Sequence, residues 1–537
     1  MNLNSILHYH CEALGGAERL QHIHAWHATY RVDVLFWQGR AEEFYRAPDK
    51  SRFEIISEVT NETTGCDGQT RWRLDQNQQV QVLQEKTIAG AGKPNVLPDY
   101  QYLFPSPQIQ LRSLPAVNID EVRCFVLEKI EGDPPEVEQL FIDATTFLLK
   151  RRILHDQGLP VQIDFSDYRP IQGLQVAHRF VQSTPIAGFP ALDFQLEHIR
   201  LNPLLPDSLF QIPTSPAKDV VFVDPVVARQ IPVEIHNYHI YVPVQVNDSP
   251  PVLFILDSGA GSTVISQELA DQLHIPRRGT MPILGVGGQQ LVEAVQVEKF
   301  RLPGVEIHHQ RTYAMDLSEV RLQTGREVHG VLGYDLFIRC VIRVDYEQQR
   351  LGLFDPRGFA YSGEGEVLTG KLVTNILQIP GSINGIEGDF RVDTGSSGCL
   401  HLGIRVLKEH NLLKNRQLME VNTFGIGGES LTYLTRMENL QLGHVRIPDP
   451  LVALVAEEAN ILSLESTLGT IGGQILHKFT VYFDYSRRQL ILEKNRLFDQ
   501  PLQVDTSGMR PIPEAEQLGL HQTAQSGVPE FSVPSKV

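Results

Sequence analysis

Between Phe254 and Tyr485 the sequence passes through four landmarks twice, in one order and at nearly equal spacing. The first pass reads Phe254-Ile255-Leu256-Asp257-Ser258-Gly259, then Gly285-Val286-Gly287-Gly288, Val331-Leu332-Gly333 and Val344-Asp345-Tyr346. The second reads Phe390-Arg391-Val392-Asp393-Thr394-Gly395, then Gly425-Ile426-Gly427-Gly428, Thr470-Ile471-Gly472 and Phe483-Asp484-Tyr485. Counted from each Asp, the glycine cluster follows after 28 and 32 residues, the apolar-Gly element after 76 and 79, and the Asp-Tyr pair after 88 and 91. Such a repeat dictates two copies of one supersecondary unit. The stretch that joins them, Asp355 to Gly370, is short and turn-like. A short tether gives the copies a high effective concentration for each other, so pairing within one chain is favoured over pairing between two.

The repeat fills only half of 537 residues, so the chain must hold further units. Hydrophobic usage of 42% and charged usage of 21% exclude a wholly disordered or collagen-like chain. Residues 1–27 predict short helical turns broken at Gly15-Gly16. From Ala28 to Pro213, alternation at Val32, Val34 and Phe36, at Phe53 and Ile55, and at Val161, Ile163 and Phe165 predicts antiparallel strands. Asp67-Gly68 and Asn77-Gln78 supply turns between them. Pro203, Pro206, Pro213 and Pro216 mark a linker, and after Phe498 the chain turns polar and proline-bearing, as a largely disordered tail would. The expected division is a β module over 1–213, a linker over 214–229, lobes over 230–358 and 359–497, and a tail over 498–537.

The formal net charge of −17 gives no cationic footprint for nucleic acid and reads as a solubility term. Cys11, Cys66, Cys124, Cys340 and Cys399 are scattered, without zinc spacing, and are expected as buried free thiols. No run approaches the ~18 apolar residues of a membrane helix. The start, Met1-Asn2-Leu3-Asn4-Ser5, lacks the basic and apolar regions of a signal peptide, which makes a cytoplasmic location the default expectation.

One Asp-Ser-Gly or Asp-Thr-Gly standing alone reads as a strand-to-turn corner held by local backbone hydrogen bonds. Two of them, each behind a strand-like run in a matched repeat, suit a different chemistry. Carboxylates within ~3 Å of each other share a proton, so that one serves as general base and the other as general acid. The hydroxyls of Ser258 and Thr394 can bond across the two-fold seam, while Gly259 and Gly395 let the loops pack face to face. Ser396 follows the second loop where Ala260 follows the first. A hydroxyl donating from Ser396 would leave Asp257 as the member that more often holds the proton. Arg391 and Thr470 interrupt apolar elements of the second copy and predict a less buried second loop.

With these residues in view, the second region resembles a single-chain, tandem retropepsin-like aspartic protease over about residues 230–495. The resemblance implies a mainly β fold with two duplicated β-barrel lobes and a dyad of Asp257 and Asp393. Ser258, Gly259, Thr394, Gly395 and Ser396 would support the dyad. Gly285, Gly287 and Gly288, with Gly425, Gly427 and Gly428, would form two flap tips, and Val331-Leu332-Gly333 and Thr470-Ile471-Gly472 would buttress the loops. It implies a polypeptide substrate, no metal and no cofactor, in a monomer.

The N-terminal region, through Ala13-Leu14-Gly15-Gly16, Trp26, Asp67-Gly68, Trp72 and Ile142-Asp143, is similar to the outer-membrane lipoprotein carrier-like fold. That resemblance implies a curved antiparallel sheet (a half-barrel) with short helices, an apolar ligand or a docking role, and a lean toward an exported protein. It also leaves a rival for the whole chain: a non-catalytic binding protein on a degenerate protease scaffold. Gly365 to Lys371 imitates a phosphate loop but has Leu372 where Ser or Thr must hold magnesium. His8, His10, His22, His24 and His27 read as surface histidines rather than metal ligands.

Overall fold

The computed structural model describes residues 1–83, 100–104, 106–107, 109–132, 136–156, 159–184, 189–214, 219–285, 288–403, 406, 409–410, 412, 416, 418–425, 428–455, 467–500 and 510–511. It is mainly β, and divides into one unit of Met1–Lys218 with Arg277–Pro282, and a second of Asp219–Pro276 with Ile283–Val537.

The first unit opens on the helix Leu3–Leu14, capped where Asn2 Oδ1 accepts from the Ser5 amide at 2.9 Å and stopped at Gly15, whose φ of 125° no L side chain adopts comfortably. Ile6, His10 and Leu14 recur every four residues and form its buried face. Strand Ala25–Val34 follows, with Trp26, Ala28, Tyr30, Val32 and Val34 buried in strict alternation. Among the described residues thirteen strands form one curved antiparallel sheet, in which Ala25–Val34 lies between Trp37–Arg46 and the last strand, Leu192–Leu201. Gly68 at φ 98° and Gln78 at φ 60° close two of the expected turns. Phe165, Phe180 and Phe194 pack with Tyr30 as its aromatic core.

His10 departs from the surface histidine expected of it. Its side chain is fully buried, with Nδ1 2.6 Å from the Phe147 carbonyl and Nε2 2.8 Å from the Tyr102 hydroxyl, and burial lowers its pKa to about 4. Position i+4 from Ile6 put it on the apolar face, and two hydrogen-bond partners satisfy it there. All five cysteines are free; Cys124, Cys340 and Cys399 are buried, whereas Cys11 and Cys66 are partly exposed.

Three sheets build the second unit. Among the described residues one of nine strands belongs to the first copy of the repeat and one of eleven to the second, with Arg510–Pro511 of the expected tail pairing Met419 and Glu420. The rest of that tail beyond Gln500 lies outside the described residues. The third sheet takes strands from both copies, in the order Ile231–Pro232, Arg350–Phe354, Val341–Asp345, Phe479–Asp484, Gln489–Lys494 and Glu366–Thr369. At its middle the two Asp-Tyr landmarks meet antiparallel, Ile342 opposite Phe483 and Val344 opposite Val481. The false phosphate loop is the edge strand Glu366–Thr369 of this sheet, with no helix behind it. One apolar cluster, including Phe254, Leu256, Leu332, Ile342, Phe390, Val392, Ile471 and Phe483, runs through both copies. Among the described residues no helix is long and apolar enough to cross a membrane.

Candidate active site

Each Asp loop leaves a short strand that is trapped between neighbours. Val252–Leu256 runs parallel to Val328–Leu332, and Ile386–Val392 runs parallel to Gly469–Ile471. The amide of Asp257 donates to the Leu332 carbonyl at 2.9 Å, and that of Asp393 to Ile471 at 2.9 Å. The apolar-Gly landmarks therefore fix where each strand ends and each loop begins.

The loops then grip each other. The Ser258 amide donates to Thr394 Oγ1 at 3.0 Å, and that hydroxyl donates onward to the Leu256 carbonyl at 2.8 Å. In return the Thr394 amide donates to Ser258 Oγ at 3.0 Å, which donates to the Val392 carbonyl at 2.7 Å. Both side chains are buried, so each bond competes with no water. A methyl group on Gly259 would sit 2.5–2.8 Å from the carboxyl atoms of Asp393, and one on Gly395 would meet the Asp257 carboxyl more closely still. Each carboxyl thus lies over the glycine of the opposite loop, which only glycine permits.

This packing sets the two carboxyls beside each other, each against the glycine of the opposite loop. Burial first, and then the charge of Asp393, hold the Asp257 carboxyl well above the usual carboxylate range, against the pull of the Gly259 amide on its Oδ1 at 2.8 Å. The Gly395 amide donates to Asp393 Oδ1 at 2.8 Å. Ser396 reaches the same oxygen through its backbone amide at 3.1 Å, while its hydroxyl accepts from Gly398 at 3.3 Å, so the hydroxyl bond expected from the sequence is replaced by a main-chain one.

The second loop is not the looser one. Arg391 and Thr470 are each only 3% exposed. Burial lowers the Arg391 guanidinium to about 10, and the neighbouring Asp393 pushes it back up. The substitution changes the polarity of a covered face and leaves the loop as buried as its partner.

The expected flaps are built of strands. In the first copy strand Arg277–Gly285 ends and strand Gly288–Leu302 begins at the expected tip, and in the second Met419–Gly425 pairs Gly428–Arg436 with Gly425 opposite Gly428. Gly287 and Gly427 lie outside the described residues.

Several site contacts escape a reading of the motifs. Tyr485 Oη donates to the Ser258 carbonyl at 3.0 Å from the end of the second repeat. His239 Nε2 donates to the Gly395 carbonyl at 2.9 Å, and Asn375 Nδ2 donates to Gly261 at 3.0 Å. These last two come from matched two-residue hairpins, Asn237-Tyr238 and Thr374-Asn375, with all four residues at positive φ. They form a fifth repeated landmark, hidden because Tyr and Thr are unusual at such φ values.

Residues 242–336 and residues 379–471 each match the family model described as aspartyl protease, one window for each Asp loop. The chain therefore carries an aspartyl protease-like scaffold in tandem. No curated protein matches the chain. Among solved structures, a DUF1329 family protein from Desulfovibrio piger is 11% identical, covering 39% of this chain and 98% of its own at a TM-score of 0.28. A LolA superfamily protein from Nitrosomonas europaea is 14% identical with the same coverage and TM-score. A putative outer membrane lipoprotein-sorting protein domain from Vibrio parahaemolyticus is 14% identical, covering 38% of this chain and 95% of its own at a TM-score of 0.27.

Proposed function

We propose that this chain is an aspartic endopeptidase whose single site is shared by two lobes, with Asp257 and Asp393 as the catalytic pair. The observation that carries the reading is the reciprocal Ser258–Thr394 grip, with each Asp carboxyl seated against the glycine of the opposite loop. A scaffold kept only for binding has no use for two carboxyls forced together at a cost in solvation.

The reaction follows from one proton on two carboxyls. Asp393 accepts a proton from water as the water oxygen bonds to the peptide carbonyl carbon. Asp257 gives its proton to the carbonyl oxygen, so the addition produces a neutral gem-diol. Asp393 then passes the water-derived proton to the amide nitrogen, the C–N bond breaks, and a diol proton returns to Asp257. The cycle needs no covalent acyl-enzyme.

The test is cleavage of an unfolded protein substrate. Asp257→Asn and Asp393→Asn should each lower the rate by about 10²–10⁴-fold or more, the worth of a positioned acid or base. A statine-type inhibitor should compete with substrate. If either Asn variant cleaved at the wild-type rate, the shared-site reading would be wrong; if the wild-type chain cleaved no substrate, the rival binding-protein reading would be preferred.

A further inference from the structure

The two lobes carry the same sheet positions beside their Asp loops with opposite chemistry. In the first lobe the register runs Tyr241 opposite Ile255, Ile255 opposite Val331, and Val331 opposite Val264. In the second it runs Gln378 opposite Arg391, Arg391 opposite Thr470, and Thr470 opposite His401. Directly paired residues share a face, so each row is one stripe across four strands. Ile255 and Arg391 each stand two residues before the Asp, at matching positions of the two copies.

The first stripe is apolar apart from one phenol. The second presents a guanidinium, a carboxamide, a hydroxyl and an imidazole. Gln378 is 0% exposed, and among the described residues neither its Oε1 nor its Nε2 has a hydrogen-bond partner. Leaving both unmet costs stability with no structural return, unless a ligand supplies the partner. His401 is partly exposed at the other end, and a methyl on Gly398 of the Asp393 loop would meet its ring at 2.5 Å, so the stripe runs up to that loop. The Asp393 charge is felt at both Arg391 and His401.

We propose that this stripe is a substrate subsite that recognises an anionic side chain, Asp or Glu, beside the scissile bond on the second-lobe side, while the first-lobe stripe takes an apolar one. Donors from Arg391, Gln378 and Thr470 match the acceptor oxygens of a carboxylate. The inference rests on reading Asp257 and Asp393 as a peptidase dyad, but its test does not require turnover.

The test uses the full chain carrying Asp257→Asn, titrated by fluorescence anisotropy with labelled peptides that differ only in Glu, Gln or Leu at each position flanking one peptide bond. At one position Glu should bind about tenfold or more tighter than its isostere Gln, the worth of a charge-assisted hydrogen bond. That gap should close when Arg391→Met or Gln378→Leu is added, with thermal melts confirming that each variant folds. Equal binding of Glu and Gln peptides at every position overturns the proposal, whether or not the wild-type chain cuts them. Discrimination in binding without cleavage by the wild-type chain upholds the subsite and overturns the peptidase reading.

Discussion

At the scale of single residues the chemistry comes from forcing like groups together. The raised carboxyl of Asp257 has a consequence for stability, and its sign is fixed by proton counting. Between the ordinary aspartate range and its raised value the folded chain holds a proton that the unfolded chain has lost, so stability falls as pH rises through that window. Asp257→Asn has no such loss. Its unfolding midpoint should exceed the wild type at pH 7, and the difference should shrink as pH drops toward 4, by calorimetry across a pH series. A second residue-scale prediction concerns Gly395. Because a methyl group there would enter the Asp257 carboxyl, Gly395→Ala should abolish cleavage and destabilise by about 1–3 kcal/mol, the usual cost of overpacking. Denaturant unfolding measures the second quantity.

Among the elements, the Asp loops are held by bonds that each satisfy two buried groups. Thr394→Val deletes the acceptor of the Ser258 amide and the donor to the Leu256 carbonyl, leaving both unpaired in the core. A loss of about 1–3 kcal/mol for each orphaned group is expected. Tyr485→Phe removes the hydroxyl that donates to the Ser258 carbonyl while leaving the Ser258–Thr394 grip in place, and should cost less. A Tyr485→Phe loss equal to that of Thr394→Val would show that the grip is not what ties the loops. The sequence made this grip legible, since Ser258 and Thr394 each follow a repeated Asp. It did not reveal the polarity of the covered stripe: Arg391 looked like a defect in an apolar run, because a single strand does not show which neighbours lie on its face. His10 was misplaced for a related reason, since Phe147 and Tyr102, which satisfy it, are distant in sequence.

For the whole molecule the central fact is a sheet shared by the two copies. Strands Val341–Asp345 and Phe479–Asp484 pair within one chain, as do the Ser258 and Thr394 loops, and the proposed site accordingly needs no second subunit. Specific activity should therefore stay constant as the protein is diluted from micromolar to nanomolar, and a fall with dilution would place the dyad between chains. Assays at several concentrations, alongside sizing in solution, decide it.

What the sequence determined alone was the repeat, the β class and the two Asp residues, because periodicity and matched spacing are local properties of a chain. Pairing was left to the tertiary structure. The opposition of Gly259 to Asp393 and Gly395 to Asp257, the raised carboxyl of Asp257, and the donor-rich stripe behind Asp393 arise from contacts between residues 100 or more apart or across several strands. Burial and mutual charge set the chemistry of those groups, and both are properties of neighbours that only folding assembles.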